Sequence, residues 1–251
     1  MTLRIALILG SGPDVLRAQA WPHSSAVSLV VINNAWQVRS DWDFHIYPED
    51  FPAERMPTEY DAQVQLPITS AQYVPIQNQF GGFVYAGATM AFTAGYWALG
   101  ALQPDVLAFL GCDMNYQTPQ THFYGAGTAD PLRADITLQS LEAKSARLMV
   151  LAAQRECLCL NLSELAQSRQ VFPRRDFATL HTITAKQYAS LLRKLQSRFD
   201  AEKIQAAQQL EAQLNYTTPT GRYWENQGQF DADKLRALDD LWLGVIGGDN
   251  D

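Results

Sequence analysis

Leu3-Arg4-Ile5-Ala6-Leu7-Ile8-Leu9-Gly10-Ser11-Gly12-Pro13-Asp14 decides the fold class of this chain. Residues 3–9 are an apolar run without polar alternation, and the run stops at a Gly-Ser-Gly-Pro turn. A strand with one wet face alternates; a run that does not is covered on both faces, as in a parallel sheet. A short helix is expected over 14–20. The same grammar returns along the chain. Residues 27–33 form a second buried strand ending at Asn33-Asn34, and 41–46 a third, shorter one. Residues 106–110 form another, ending at Gly111-Cys112-Asp113, and 157–163 a further one ending near Asn161 and Ser163.

Helices are expected between these strands. Thr89–Leu102 is small and apolar, which allows close helix–sheet contact, and Gln103-Pro104-Asp105 stops it. Residues 136–154 are amphipathic, with Leu138, Leu141, Leu148, Met149 and Ala152 near one face. Residues 47–62 read as irregular, and 63–80 as β-formers broken by Pro67 and Pro75. This alternation predicts an α/β fold with a doubly wound, mostly parallel, Rossmann-like sheet over residues 1–175. Residues 176–251 read as a helical C-terminal appendage. Within it, 184–214 form one helix or a broken pair with Thr184 as N-cap, and 231–246 a last amphipathic helix.

Composition narrows the function. The chain has 251 residues, 47% hydrophobic and 18% charged, which excludes wholesale disorder. A net charge of −7 lacks the electrostatic footprint of a general nucleic-acid binder. The three cysteines, Cys112, Cys157 and Cys159, form no disulfide framework and read as small buried hydrophobes. No apolar run approaches the ~18 residues of a membrane span. No cleavage-like stretch follows the first run, so it is expected to be a strand and not a signal peptide. A soluble, cytoplasmic protein is expected, with no nucleic-acid partner and with C-terminal helices able to pair two copies.

In open parallel sheets ligands bind beyond the carboxyl ends of the strands. Four polar clusters fall at such ends: Gly10–Asp14, Asn33-Asn34, Gly111–Tyr116 and Asn161–Ser163. The glycines of Gly10-Ser11-Gly12-Pro13 let backbone approach a ligand, and free N–H groups there can face a phosphate. The loop is neither a full dinucleotide fingerprint nor a Walker-type loop. Asn33 and Asn34 offer donors and acceptors without charge. Asp113 suits a sugar hydroxyl, and Tyr116 can donate to a phosphate. Metal ligation has little support, because no DxD pattern and no second nearby carboxylate is present in the sequence. The long polar segment 114–135 carries His122 in Thr-His-Phe-Tyr-Gly, the residue type best matched to proton transfer near neutral pH. Asp130 or Asp135 is available to orient its ring, Phe123 and Tyr124 to dry the site, and Gly125 and Gly127 to let the loop close. Arg133, Arg174 and Arg175 are candidate anion binders. His23, His45 and His181 lack comparable surroundings.

Taken in order, Gly10-Ser-Gly-Pro, Asn33-Asn34, Gly87 before a small-residue helix, Gly111-Cys-Asp-x-x-Tyr and Thr121-His-Phe-Tyr-Gly resemble the bacterial sialyltransferases with a single Rossmann-like domain. The related motility-associated glycosyltransferase and hydroxymethylpterin pyrophosphokinase-like groups share parts of the pattern. The likeness spans roughly residues 3–165. Ser11 and Asp14 stand where the family has Asn and Ser, and the Asp113-to-Tyr116 spacing is one residue longer. The resemblance implies transfer of a nonulosonic sugar from a CMP-activated donor to an acceptor hydroxyl, with no metal or other cofactor required. It implies His122 as general base. It places the nucleotide at Gly10, Ser11, Gly12, Pro13, Asn33, Asn34, Gly87 and Gly111, and donor contacts at Asp113, Tyr116 and Tyr124. Two other classes stay open: a pyrophosphokinase-like enzyme using Mg²⁺ and a triphosphate, and a non-catalytic nucleotide-binding or assembly protein.

Overall fold

The computed structural model describes residues 2–116, 120–125 and 134–247. Asp130, Arg133 and Gly127 therefore lie outside the described residues. The strands are β1 (Ile5–Leu9), β2 (Val27–Ile32), β3 (Phe44–Ile46), β4 (Leu66–Ile68), β5 (Val106–Leu110) and β6 (Leu158–Asn161). They form one six-stranded sheet in the order β4-β3-β2-β1-β5-β6, and every pairing is parallel. The fold is α/β and Rossmann-like, with a helical C-terminal region. β1, β5 and β6 are buried along their whole length, as runs without alternation require.

The helices are α1 (Ser70–Asn78), α2 (Phe83–Ala86), α3 (Met90–Ala101), α4 (Leu141–Ala153), α5 (Phe177–Thr182), α6 (Ala185–Gln196), α7 (Ala201–Leu214) and α8 (Ala232–Leu243). From β1 the chain steps outward through β2 and β3 to β4, then returns through α1–α3 to β5 on the other flank of β1. The 3-10 segments Pro13–Ala20 and Asn33–Val38 pack on each other, and α3 packs on both α1 and α4, the two groupings that right-handed crossovers from this strand order require. The order of strands thus reverses between β1 and β5, where Leu9 pairs with Leu110. The small residues of α3 serve close packing. A Cβ on Gly95 would lie 2.8 Å from Leu148 of α4 and 3.2 Å from Phe109 of β5.

Three local expectations are corrected. Residues 70–78 are helical, not extended. Thr69 and Gln72 form a capping box at the start, and Tyr73, Val74 and Gln77 are buried where the helix packs on α3, so tertiary packing holds a helix that contains Pro75. The third strand shrinks from 41–46 to Phe44–Ile46, because the Asp43 carboxylate takes the backbone amide of Leu29 at 2.6 Å and its own amide bonds the Leu29 carbonyl. The helix expected from 136 begins at Leu141, where Ser140 caps it by accepting from the amide of Ala143 at 3.1 Å. The stretch 184–214 is a broken pair. Thr184 caps α6 through a capping box, and Asp200 caps α7.

The C-terminal helices share the main apolar core through Leu235, Leu238, Trp242 and Val245. They are also fastened by buried charge. Lys144 of α4 meets Asp239 of α8 at 2.8 Å. The Arg147 guanidinium of α4 reaches both Glu211 oxygens on α7, at 2.7 and 2.8 Å, and the Tyr96 hydroxyl on α3 at 2.8 Å. The Trp242 indole donates to the same Glu211 carboxylate at 2.8 Å. The three cysteines are free and buried, as expected. Among the described residues no helix is long and apolar enough to cross a membrane.

Candidate functional site

The reversal of strand order between β1 and β5 marks the crevice where a ligand of such a sheet is expected. Its walls are the loop after β1, Gly10–Pro13, and the loop after β5, Gly111–Asp113. The structure brings these loops into direct contact. The Gly10 amide donates to the Leu110 carbonyl and the Gly12 amide to the Gly111 carbonyl, each at 2.8 Å. The missing side chains are what permit this. A Cβ on Gly10 would stand 2.4 Å from the Gly111 oxygen and 2.6 Å from Cys112 Sγ. Gly111 has φ +69°, and its own Cβ would strike Val15 at 2.8 Å. The room expected for a ligand beside Gly10 and Gly12 is thus filled by the neighbouring loop. Both glycine amides are used there, which leaves Ser11, at the turn's apex, as the part of the loop that bonds outward.

Ser11 is the anchor of the His122 segment. Its carbonyl accepts the Phe123 amide at 2.9 Å, across 112 positions of chain. His122 and Gly125 exchange both backbone hydrogen bonds, each at 3.0 Å, closing a tight turn. The imidazole is half-buried. It stacks on Tyr124 with centroids 5.1 Å apart and tilts against Tyr116 at 6.2 Å. Its Nδ1 lies 2.8 Å from Thr121 Oγ1, and burial holds its pKa below the ordinary value. Burial likewise pushes the Tyr116 phenol up to about 12. Asp135, a candidate partner for the ring, instead takes the Thr137 amide and hydroxyl at 2.8 Å each and the Tyr223 hydroxyl at 2.6 Å.

Asp113 is 5% exposed, and among the described residues neither carboxylate oxygen has a hydrogen-bond partner. Burial raises its pKa first, and Asp14 adds to the rise. The Ser168 and Ser163 hydroxyls and Arg174 pull it back, although neither hydroxyl closes a hydrogen bond to it. Asp14 is the second nearby carboxylate that the linear sequence does not show. Its own oxygen accepts the Glu164 amide at 3.0 Å and Arg17 at 3.3 Å. A polar shelf from β6 closes this side: Asn161 Nδ2 donates to Ser168 at 3.0 Å, and the Ser163 amide donates to Asn161 Oδ1 at 2.9 Å. Among the described residues no three His, Cys, Asp or Glu side chains converge as a metal site.

The other candidates divide. Asn33 takes a left-handed backbone, φ 51°, at the end of β2. Among the described residues Asn33 and the buried Asn34 both keep an Oδ1 without a partner. β2 adjoins β1, so this pair lies beside the glycine loop. Gly87, φ +84°, caps α2 and packs on the stem of Lys144, 3.0 Å from where its Cβ would be. It leads to Thr89, the N-cap of α3, whose hydroxyl is 3.7 Å from Met114 Sδ just past Asp113. Gly87 therefore sits in the wall behind the crevice. Arg174 and Arg175, the candidate anion binders, both engage loop backbone. Arg174 donates to the carbonyls of Ser163, Leu165 and Ala166, and Arg175 to that of Arg174, so both guanidinium groups brace loop backbone.

His45, set aside on sequence, is the polar group that reading missed. It is 1% exposed in the middle of β3, donates from Nε2 to the Asn33 carbonyl at 2.8 Å and, among the described residues, leaves Nδ1 unpartnered. Its pKa is lowered to about 4, by burial first and against the Asn33 contact. The available signal was a histidine inside a short parallel strand whose neighbour ends at the Asn pair. Comparison with protein-family models, with curated proteins and with solved structures finds no match to this chain.

Proposed function

We propose that this chain is a glycosyltransferase that moves a sialic-acid-like, nonulosonic sugar from a CMP-activated donor to an acceptor hydroxyl. The observation that carries the reading is the 2.9 Å hydrogen bond from Phe123 to Ser11, which tethers the histidine turn to the glycine loop at the reversal of strand order. A nucleotide-binding position and a proton acceptor at one strand-end crevice is what such a transfer requires. The nucleotide lies along Ser11 and the Asn33-Asn34 end of β2, with the closely packed Gly10, Gly12 and Gly111 backbone forming the floor behind it. Tyr116 and Tyr124 flank the donor, and Asp113 faces its hydroxyls.

The chemistry balances without a further cofactor. The acceptor oxygen forms a bond to the anomeric carbon as the bond from that carbon to the CMP phosphate oxygen breaks. CMP leaves with the electron pair, and the acceptor proton passes to His122. Phosphate is already a good leaving group, so hydrogen bonding and a base suffice. The expected partners are the CMP-activated sugar and a hydroxyl acceptor, in the cytoplasm.

The test is a thermal-unfolding series with CMP, ATP plus Mg²⁺ and no ligand. A ligand at 100 times its Kd stabilises by about 2.7 kcal/mol. A rise with CMP alone supports the reading, together with loss of sugar transfer in His122→Ala at unchanged CMP response. A Mg²⁺-dependent rise with ATP and none with CMP overturns it in favour of a pyrophosphokinase-like enzyme.

A further inference from the structure

We propose that Thr121 is a positioning residue that sets the tautomer of His122, accepting Nδ1–H at its hydroxyl oxygen and so leaving the Nε2 lone pair for the acceptor proton. The inference deepens the transferase reading and rests on it for its catalytic meaning. The geometry is a 2.8 Å contact between Thr121 Oγ1 and His122 Nδ1. Among the described residues Nε2 makes no hydrogen bond. The ring contacts both Tyr116 and Tyr124, and its backbone is pinned by Gly125. A neutral imidazole carries one proton, and the hydrogen bond made by one nitrogen decides the role of the other. A hydroxyl can either donate or accept. Only the accepting arrangement leaves Nε2 able to take a proton, and Thr121 is the sole partner in hydrogen-bond reach of the ring among the described residues.

Thr121→Val keeps the β-branched shape and removes the oxygen; Thr121→Ser keeps the oxygen. The readout is the nitrogen chemical shifts of the His122 imidazole by NMR, on the whole, unliganded chain at a pH where the ring is neutral. The parent and Thr121→Ser are expected to show mainly Nδ1–H. Thr121→Val is expected to move the ratio toward Nε2–H by about tenfold, the worth of one ordinary hydrogen bond. Transfer should fall in kcat by a similar factor with KM for the CMP donor unchanged, and Thr121→Ser should restore it. A parent already in the Nε2–H form, or a ratio unmoved in Thr121→Val, overturns the proposal. A ratio that moves as expected while His122→Ala still transfers sugar at the parent rate supports the positioning contact and overturns only the reading of His122 as base.

Discussion

Lys144 and Asp239 meet at 2.8 Å with side chains 1% and 3% exposed, so α4 and α8 are joined by a charge pair from which water is excluded. Such a pair contributes little net stability, but breaking it strands a buried charge. Lys144→Met should therefore cost about 3–5 kcal/mol in chemical denaturation. The double variant Lys144→Met/Asp239→Leu should return most of that loss. If the double variant is as unstable as the single one, the stranded Asp239 charge is not the cause.

Gly10→Ala tests the contact between the two site loops. The new methyl would stand 2.4 Å from the Gly111 oxygen, a backbone atom that cannot swing aside. A loss of about 3 kcal/mol is expected, with weakened CMP binding, because the loops must part. Gly228→Ala is the control, since its Cβ meets nothing within 4 Å. Equal Tm values for the two variants would contradict the packing argument.

His45 predicts a pH dependence of known sign. The folded pKa is about 4 and the ordinary value 6.5, so between them the unfolded chain binds a proton that the folded chain refuses. Stability is fully present above the ordinary value and is lost as the pH falls toward the folded value. The loss from near pH 7 to near pH 5 should be about 2 kcal/mol. His45→Gln should flatten that part of the stability profile, measured by denaturant titration at several pH values. A parent profile with no such slope contradicts the buried, neutral imidazole.

Asp113→Asn should separate stability from activity. The raised pKa means that the ionised carboxylate opposes folding as the pH rises through the window above its ordinary value of 3.8. An amide of the same shape carries no charge to desolvate, so Tm near neutral pH should rise, by about 1 kcal/mol of stability. Sugar transfer should fall in the same variant. A buried, unpartnered group kept at a strand end is the pattern of a site that trades stability for function. A lower Tm with unchanged transfer would assign Asp113 to the scaffold.

Much of the site was legible because it lies at breaks in the apolar pattern. Gly10–Pro13, Asn33-Asn34 and Gly111–Asp113 each end a buried strand, and a parallel sheet carries all such ends to one edge. His45 was hidden because a single histidine within Phe44-His45-Ile46 reads locally as an ordinary strand residue. The carbonyls that Arg174 and Arg175 engage were hidden too: the loop chooses them, and nothing in residue type announces them.

The parallel sheet, the ends of its main strands and the Thr184-capped start of α6 were all readable along the chain. Apolar periodicity and capping residues act over a few neighbours, and local chemistry suffices to express them. The return of β5 beside β1, the nearness of Asp14 to Asp113 and the bond from Phe123 to Ser11 emerge only in the folded chain. Those relationships join positions roughly a hundred residues apart. They are selected by the global packing of the sheet, which leaves no period or spacing in the chain to read.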